Sequence, residues 1–353
     1  MQNFTFRPAQ ANPLAEVARS PRWFPHALDP ATDRVLLVEK SEADYRSASF
    51  LDDRALAPNG AQHVAAWRDL EAALPAEARR DAGYIFHIGH VGSTLISRLL
   101  GELPGVFALR EPVLLRNFHD LAMLSGQPES PWAPEWLDQR ITTLRALLSR
   151  TFRPEQRAIV KATSFTSELA PRFVGNSRAL LLYTGALPYL ENILAGETSR
   201  QEVHALAGQR LKRLSRRLGE VPWKLWDLSF GQRAALAWAC EMTSLAAASD
   251  ALGESVRWSD FDAFLADPAA RLREIAHFFG QPLDEAGARQ IVEGPLMRRY
   301  SKGLEYEYSP DLRAQVLAQS RDRNRAEIRE AMAWLEEAAG RFPVIADALG
   351  RKA

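Results

Sequence analysis

Tyr84-Ile-Phe-His-Ile88, running directly into Gly89-His-Val-Gly-Ser-Thr-Leu95, is the stretch on which the fold of this chain turns. Its first five residues are nearly continuous in apolar character, as a parallel strand buried on both faces requires. Two glycines then open a turn. A helix starting at Ser93 or Thr94 aims its unpaired N–H groups and the positive end of its dipole back into that turn. Leu95, Ile96, Leu99, Leu100 and Leu103 recur at helical spacing and give the helix a face to bury on a sheet. Strand, glycine turn and helix N-terminus together have the geometry that holds a phosphate or sulfate group. No lysine stands between Gly92 and Ser93, so the pattern Gly-x4-Gly-Lys-Ser/Thr of an ATP-hydrolysing loop is not met.

Outward from this stretch, strands and helices alternate as βα units do. Strands are expected at 106–109, 158–162, 178–184 and 255–258, with helices at 93–102, near 113–124 and at 135–150. The fold class is therefore α/β, a central, mainly parallel sheet flanked by helices, of the P-loop type. Residues 1–80 read as an N-terminal extension packing on the main domain, with one strand at 34–39 and a helix-prone piece at 64–74. The α/β domain spans 81–309, and 310–353 is a helical tail.

A chain of 353 residues, 46% hydrophobic and 25% charged, has the composition of a soluble globular protein. Lys+Arg and Asp+Glu number 44 each, so no global charge recruits nucleic acid or a membrane surface. The single Cys240 forms no internal disulfide, and the opening residues lack the apolar core of a signal peptide. A cytoplasmic protein without a membrane span is the expectation. No His-x3-His or Cys-x2-Cys spacing signals a metal site.

In open α/β sheets the ligand lies beyond the carboxyl ends of the strands. There the sequence places the glycine turn, then Arg110-Glu111-Pro112, then Lys161 with Thr163 and Ser164, then Thr184-Gly185 and, one helical stretch later, Asn192. A carboxylate, a lysine and an anion loop on one rim are what group transfer to a hydroxyl needs: a base, a cation for the departing oxygen and preorganised donors. Plainer roles compete. Glu111 ahead of Pro112 is also placed to cap a helix, and Lys161 to snorkel from a strand end to solvent. His87 reads as a satisfied core histidine, and Trp238, Cys240 and Met242 as core of the 230–249 helix. The segment 210–218 reads as a solvated amphipathic helix, with Leu211, Leu214 and Leu218 on one face and five basic residues elsewhere.

The loop resembles the phosphosulfate-binding loop of the sulfotransferase family: a strand, then Arg or Lys, Ser, Gly, Thr or Ser, Thr, and a Leu-rich helix. His90, Val91, Gly92, Ser93, Thr94 and Leu95 occupy those places, with His90 where the family carries its cation and Val91 where it carries serine. Glu111 falls where members similar to tyrosylprotein sulfotransferases carry a glutamate base. Lys161 matches the lysine after the third strand, although Ala162 and Thr163 replace the Asp and Pro that usually follow it. At the fourth strand the family's Arg-Asp-Pro and later serine give way to Thr184-Gly185 and Glu191 or Asn192. Met297-Arg-Arg-Tyr-Ser-Lys-Gly303 looks like the basic loop that closes over the nucleotide. Val256-Arg-Trp-Ser-Asp-Phe-Asp262 and Asp267-Pro268 resemble a further family segment. The likeness covers about residues 84–303.

The resemblance implies a 3′-phosphoadenosine 5′-phosphosulfate (PAPS) donor, adenosine 3′,5′-bisphosphate as product, and no metal. The acceptor implied is a small molecule or peptide with a hydroxyl or amine. Glu111 would be the base and Lys161 would stabilise the bridging oxygen, with His90 beside them. Gly89, His90, Val91, Gly92, Ser93, Thr94, Leu95, Thr184, Asn192, Arg298, Arg299, Ser301, Lys302 and Gly303 would hold the donor. A nucleotide-dependent phosphotransferase and a catalytically silent nucleotide-binding module are the alternatives on the same scaffold. No motif bears on oligomeric state.

Overall fold

A computed structural model describes residues 13–303 and 305–351. The opening twelve residues, on which the signal-peptide expectation rests, lie outside the described residues. The N-terminal region carries a three-stranded antiparallel sheet, β1 (Trp23–Asp29), β2 (Arg34–Glu39) and β3 (Gln62–Ala66), in that spatial order. Sequence analysis expects only the middle strand. Pro25 argues against β1, yet β1 is an edge strand whose register shifts between Pro25 and Ala27, the setting in which a residue without an N–H is tolerated. The expected helix from residue 64 begins instead at Trp67, after β3.

The main sheet is built from β4 (Gly83–His87), β5 (Val106–Arg110), β6 (Arg157–Lys161), β7 (Ala179–Tyr183) and β8 (Val256–Asp260). Their order is β5-β6-β4-β7-β8, and all four pairings are parallel. Every residue of β4, β5 and β7 is buried, as helices on both faces demand. The helix Ser93–Leu100 that follows β4 is buried along all eight residues. Because β4 lies between β6 and β7, the turn after it opens at the middle of the sheet's carboxyl edge.

The N-terminal region is pinned to that edge. Tyr45 packs edge-on against Phe107 of β5 at 4.9 Å. The buried Arg110 guanidinium donates to the carbonyls of Tyr45, Arg46 and Ala48, while the Leu51 amide reaches the Arg110 carbonyl at 2.7 Å. Residues 48–54 are thereby held beside the end of β5. The tail forms three helices, Pro310–Arg323, Arg325–Arg341 and Pro343–Gly350, packed on the helices Ala186–Ala195 and Phe230–Leu252. Among the described residues no helix is long and apolar enough to cross a membrane.

The solvated-helix expectation for 210–218 is corrected. In the helix Glu197–Leu218, Arg210 and Arg213 are each only 1% exposed, whereas Leu211 and Leu218 are half-buried. Arg213 donates to Glu241 at 2.8 and 2.9 Å and to Glu168 at 2.7 Å. Arg210 bridges Glu241 and Glu202, at 3.1 Å each. Glu241 and Glu168 from other helices, with Glu202 of its own, let this helix bury its arginines, since a buried charge is tolerated when paired and hydrogen-bonded. Trp238, Cys240 and Met242 are in the core.

Candidate active site

His87 shapes the turn that follows it. Burial first, then the nearby charge of Lys161, pushes this imidazole well below its ordinary pKa, so it is neutral. Nδ1 accepts the Gly89 amide at 3.0 Å, which leaves Nε2 to donate to the Ala162 carbonyl at 2.9 Å. Both ring nitrogens are used, the satisfied core histidine expected. Beyond it Gly89, His90 and Gly92 all adopt positive φ, at +84°, +55° and +65°. Gly92 is obligatory on a second count: a Cβ there would lie 2.0 Å from the Phe261 ring.

This conformation strings a run of donors along the turn. Ile96 is the first amide of the segment with a backbone acceptor, the Gly92 carbonyl at 3.0 Å. Among the described residues, none faces the amides of His90, Val91, Gly92, Ser93, Thr94 and Leu95. The Thr94 hydroxyl is likewise buried without a partner. Six such amides at the N-terminus of a buried helix are the donors that a tetrahedral anion needs.

Glu111 and Lys161, fifty residues apart in sequence, meet beside this loop. Adjacent parallel strands bring them together, with the Glu111 amide bound to the Lys161 carbonyl at 2.7 Å. Lys161 Nζ donates to Glu111 Oε1, and the Arg116 guanidinium lies 3.5 Å from Oε2. Lys161 is fully buried and does not snorkel. Burial pushes its pKa down to about 8, the Glu111 charge and hydrogen bond opposing the fall. Glu111 makes no cap for the helix Val113–Leu124, and it sits at φ +50°, a conformation rare for a residue with a side chain. Strain of this kind persists where surrounding contacts over-determine it.

The remaining predicted residues divide. Asn192 Nδ2 donates to the His90 carbonyl at 3.0 Å and so braces the loop from the helix after β7. The His90 ring turns away toward the helix Glu197–Leu218, with Nε2 3.2 Å from Glu202 and Nδ1 3.4 Å from Ser199. Burial raises and His90 lowers the pKa of Glu202, and the net shift is downward. Val91 is buried. The Thr184 hydroxyl donates to Asp262, whose other oxygen takes Arg313 at 2.6 Å. Ser301 is tied by its carbonyl to Arg98 of the loop helix at 2.9 Å. The exposed Lys302 lies close enough to disfavour positive charge on both His87 and Lys161. Arg298 and Arg299 instead line an open groove of about 770 Å³ with Glu293, Glu307 and Asp311. Gly303 closes a tight turn onto the Tyr300 carbonyl.

Sequence reasoning misses Phe50, Arg54, Arg116, Glu202 and Phe261. Phe261 and Asp262 lie within a segment already singled out; the others carry no local signal. Among the described residues no group of three or more His, Cys, Asp or Glu side chains is placed to hold a metal ion.

The sheet order, the all-parallel pairing and the loop at its middle strand define a P-loop-like α/β domain. No family model and no curated protein matches the chain. Among the solved structures it is similar to are several sulfotransferases. The sulfotransferase domain from the curacin biosynthetic pathway is 12% identical, over 65% of this chain and 83% of that one, with a TM-score of 0.40. The corresponding domain of the Synechococcus PCC 7002 olefin synthase is 14% identical over 70% and 90%, at 0.39. A mouse sulfotransferase complexed with PAP is 11% identical over 77% and 89%, at 0.38.

Proposed function

We propose that the protein transfers a sulfuryl group from PAPS to a hydroxyl or amine acceptor by in-line displacement. The observation that carries this reading is the run of six amides without acceptors among the described residues, beside the buried Glu111–Lys161 pair. The amides of residues 90–95 and the orphaned Thr94 hydroxyl suit a tetrahedral oxyanion, and so fit the donor's phosphosulfate. The donor supplies a sulfuryl group on a good leaving group. Glu111 takes the proton of the acceptor as its oxygen or nitrogen bonds to sulfur. Lys161, loosened from Glu111 by that protonation, meets the negative charge left on the bridging oxygen as the sulfur–oxygen bond breaks.

The fit is poorer at the donor's 3′-phosphate. At the end of β7, Thr184 already donates to Asp262, so we assign that phosphate to Lys302 and to the exposed Arg298 and Arg299. His90 keeps the loop in place through its backbone and ring contacts. We place the protein in the cytoplasm, where its single buried Cys240 stays reduced.

Calorimetry with adenosine 3′,5′-bisphosphate tests the donor, with micromolar affinity expected. Glu111→Ala should abolish transfer and leave that affinity nearly intact; unchanged turnover would remove Glu111 from the chemistry. A strict Mg²⁺ requirement would select a phosphotransferase instead. One further reading has support: Lys161 and Glu111 bind each other and the His90 ring is held by Glu202, as in a silent binding module. Bisphosphate binding without transfer to a broad acceptor panel would select that module.

A further inference from the structure

Besides Lys161, the groups gathered around Glu111 come from two places in the chain. One is the N-terminal segment that Arg110 pins beside β5. Its Phe50 ring lies 5.9 Å from Lys161 Nζ and 3.9 Å from the Arg54 guanidinium. The other is the helix Val113–Leu124, which supplies Arg116, set 5.9 Å from the Phe165 ring. Asp52 grips Arg54 through both oxygens. Burial raises the Asp52 pKa, but hydrogen bonds from Arg54 and the charges of Arg54 and Arg116 bring it below the ordinary carboxylate value. Glu111 in turn helps to keep Arg54 charged.

Two features set Arg116 apart in this group. A guanidinium has five donors, and the polar contacts of Arg116 are long: 3.5 Å to Glu111 and 3.4 Å to the Thr163 hydroxyl. Its side chain is 36% exposed, whereas that of Lys161 is 0% and that of Glu111 10%. Within this described group three cations, Lys161, Arg54 and Arg116, face two carboxylates, Glu111 and Asp52. This cluster therefore carries surplus positive charge on a side chain with donors to spare, beside the Phe165 ring.

We propose that Arg116 is a specificity-determining residue that selects an acceptor bearing a carboxylate or similar anion in addition to its hydroxyl. This rests on the sulfuryl-transfer reading for what happens to that hydroxyl. A hydroxyl presented to Glu111 brings the neighbouring part of the acceptor within reach of Arg116. The planar fork of the guanidinium takes a carboxylate through two parallel bonds. Phe50 and Phe165 supply apolar faces for the body between the two groups. Asp52 occupies Arg54, so Arg116 carries the selection.

Two phenols with the same ring and hydroxyl test this: 4-hydroxyphenylacetate, which has a carboxylate, and 4-methylphenol, which does not. Their binding is measured by ligand-detected NMR on the full chain, with and without adenosine 3′,5′-bisphosphate. The wild type should bind 4-hydroxyphenylacetate about tenfold more tightly, as expected for one charge-assisted contact. Arg116→Ala should erase the difference and Arg116→Lys keep part of it, with thermal unfolding confirming that both variants are folded. Equal affinities in the wild type, no binding of either phenol, or a preference that survives Arg116→Ala would each overturn the proposal. A preference that depends on Arg116 without transfer from PAPS would remove the sulfuryl-transfer reading and leave the anion selection standing. Transfer without the preference would do the reverse.

Discussion

Replacing Glu111 with glutamine should expose what Lys161 costs the fold. In the wild type, burial lowers the Lys161 pKa from the ordinary 10.5 to about 8, equivalent to about 3 kcal/mol. Between those two values the folded chain binds fewer protons at this lysine than the unfolded chain does. The contribution of Lys161 to stability therefore rises as pH rises through that window. Glu111→Gln removes the charge that holds the pKa up, so the lysine loses its proton at lower pH and the rise begins below 8. At pH 7 the variant should be about 3–5 kcal/mol less stable, the cost of a buried charge without its partner. The double variant Glu111→Gln/Lys161→Met should recover most of that loss, because no ammonium remains to be buried. Urea unfolding from pH 6.5 to 9.5 measures both effects, below the range where the half-buried Tyr308, pushed up to about 12 by desolvation, ionises. A Glu111→Gln variant within 1 kcal/mol of wild type at pH 7, or a double variant no better than the single one, would refute the buried-pair account.

Three other substitutions probe the scaffold. Gly92→Ala forces a side chain into positive φ and into the Phe261 ring, and should abolish sulfate and bisphosphate binding by calorimetry while lowering thermal stability. Asn192→Ala removes the bond to the His90 carbonyl; a loss of about 1 kcal/mol in bisphosphate affinity is expected, with the unfolding midpoint little changed. Glu241→Ala takes the shared carboxylate from the buried Arg210 and Arg213, leaving each one other partner, and should cost about 3 kcal/mol in chemical denaturation, a loss that a solvated helix would not produce.

Much of the scaffold was legible because it is written in neighbouring residues. The apolar run before Gly89, the leucines after Thr94 and the positions of the strands that follow are matters of local periodicity and turn chemistry, and the observed elements lie within a few residues of those expected. Edge strand β1 escaped because Pro25 is acceptable only where its missing N–H faces no neighbour, which depends on a sheet order that local pattern does not contain. Glu111, Lys161 and the loop could be named as candidates since each stands at a strand end. Whether Glu111 capped a helix or Lys161 reached solvent could not be read there.

By itself, then, the order of residues determined a parallel α/β domain with a glycine turn and a helix N-terminus after its first strand. Local sterics, hydrophobic period and helix capping act over a few residues and leave their mark in any short window. Tertiary structure alone decided which charges are buried: Lys161 on Glu111, Arg210 and Arg213 on Glu241, and the His90 ring on Glu202 rather than in the turn. A charge enters the interior only when an opposite charge from a distant segment arrives beside it, and that meeting is settled by how the strands and helices pack.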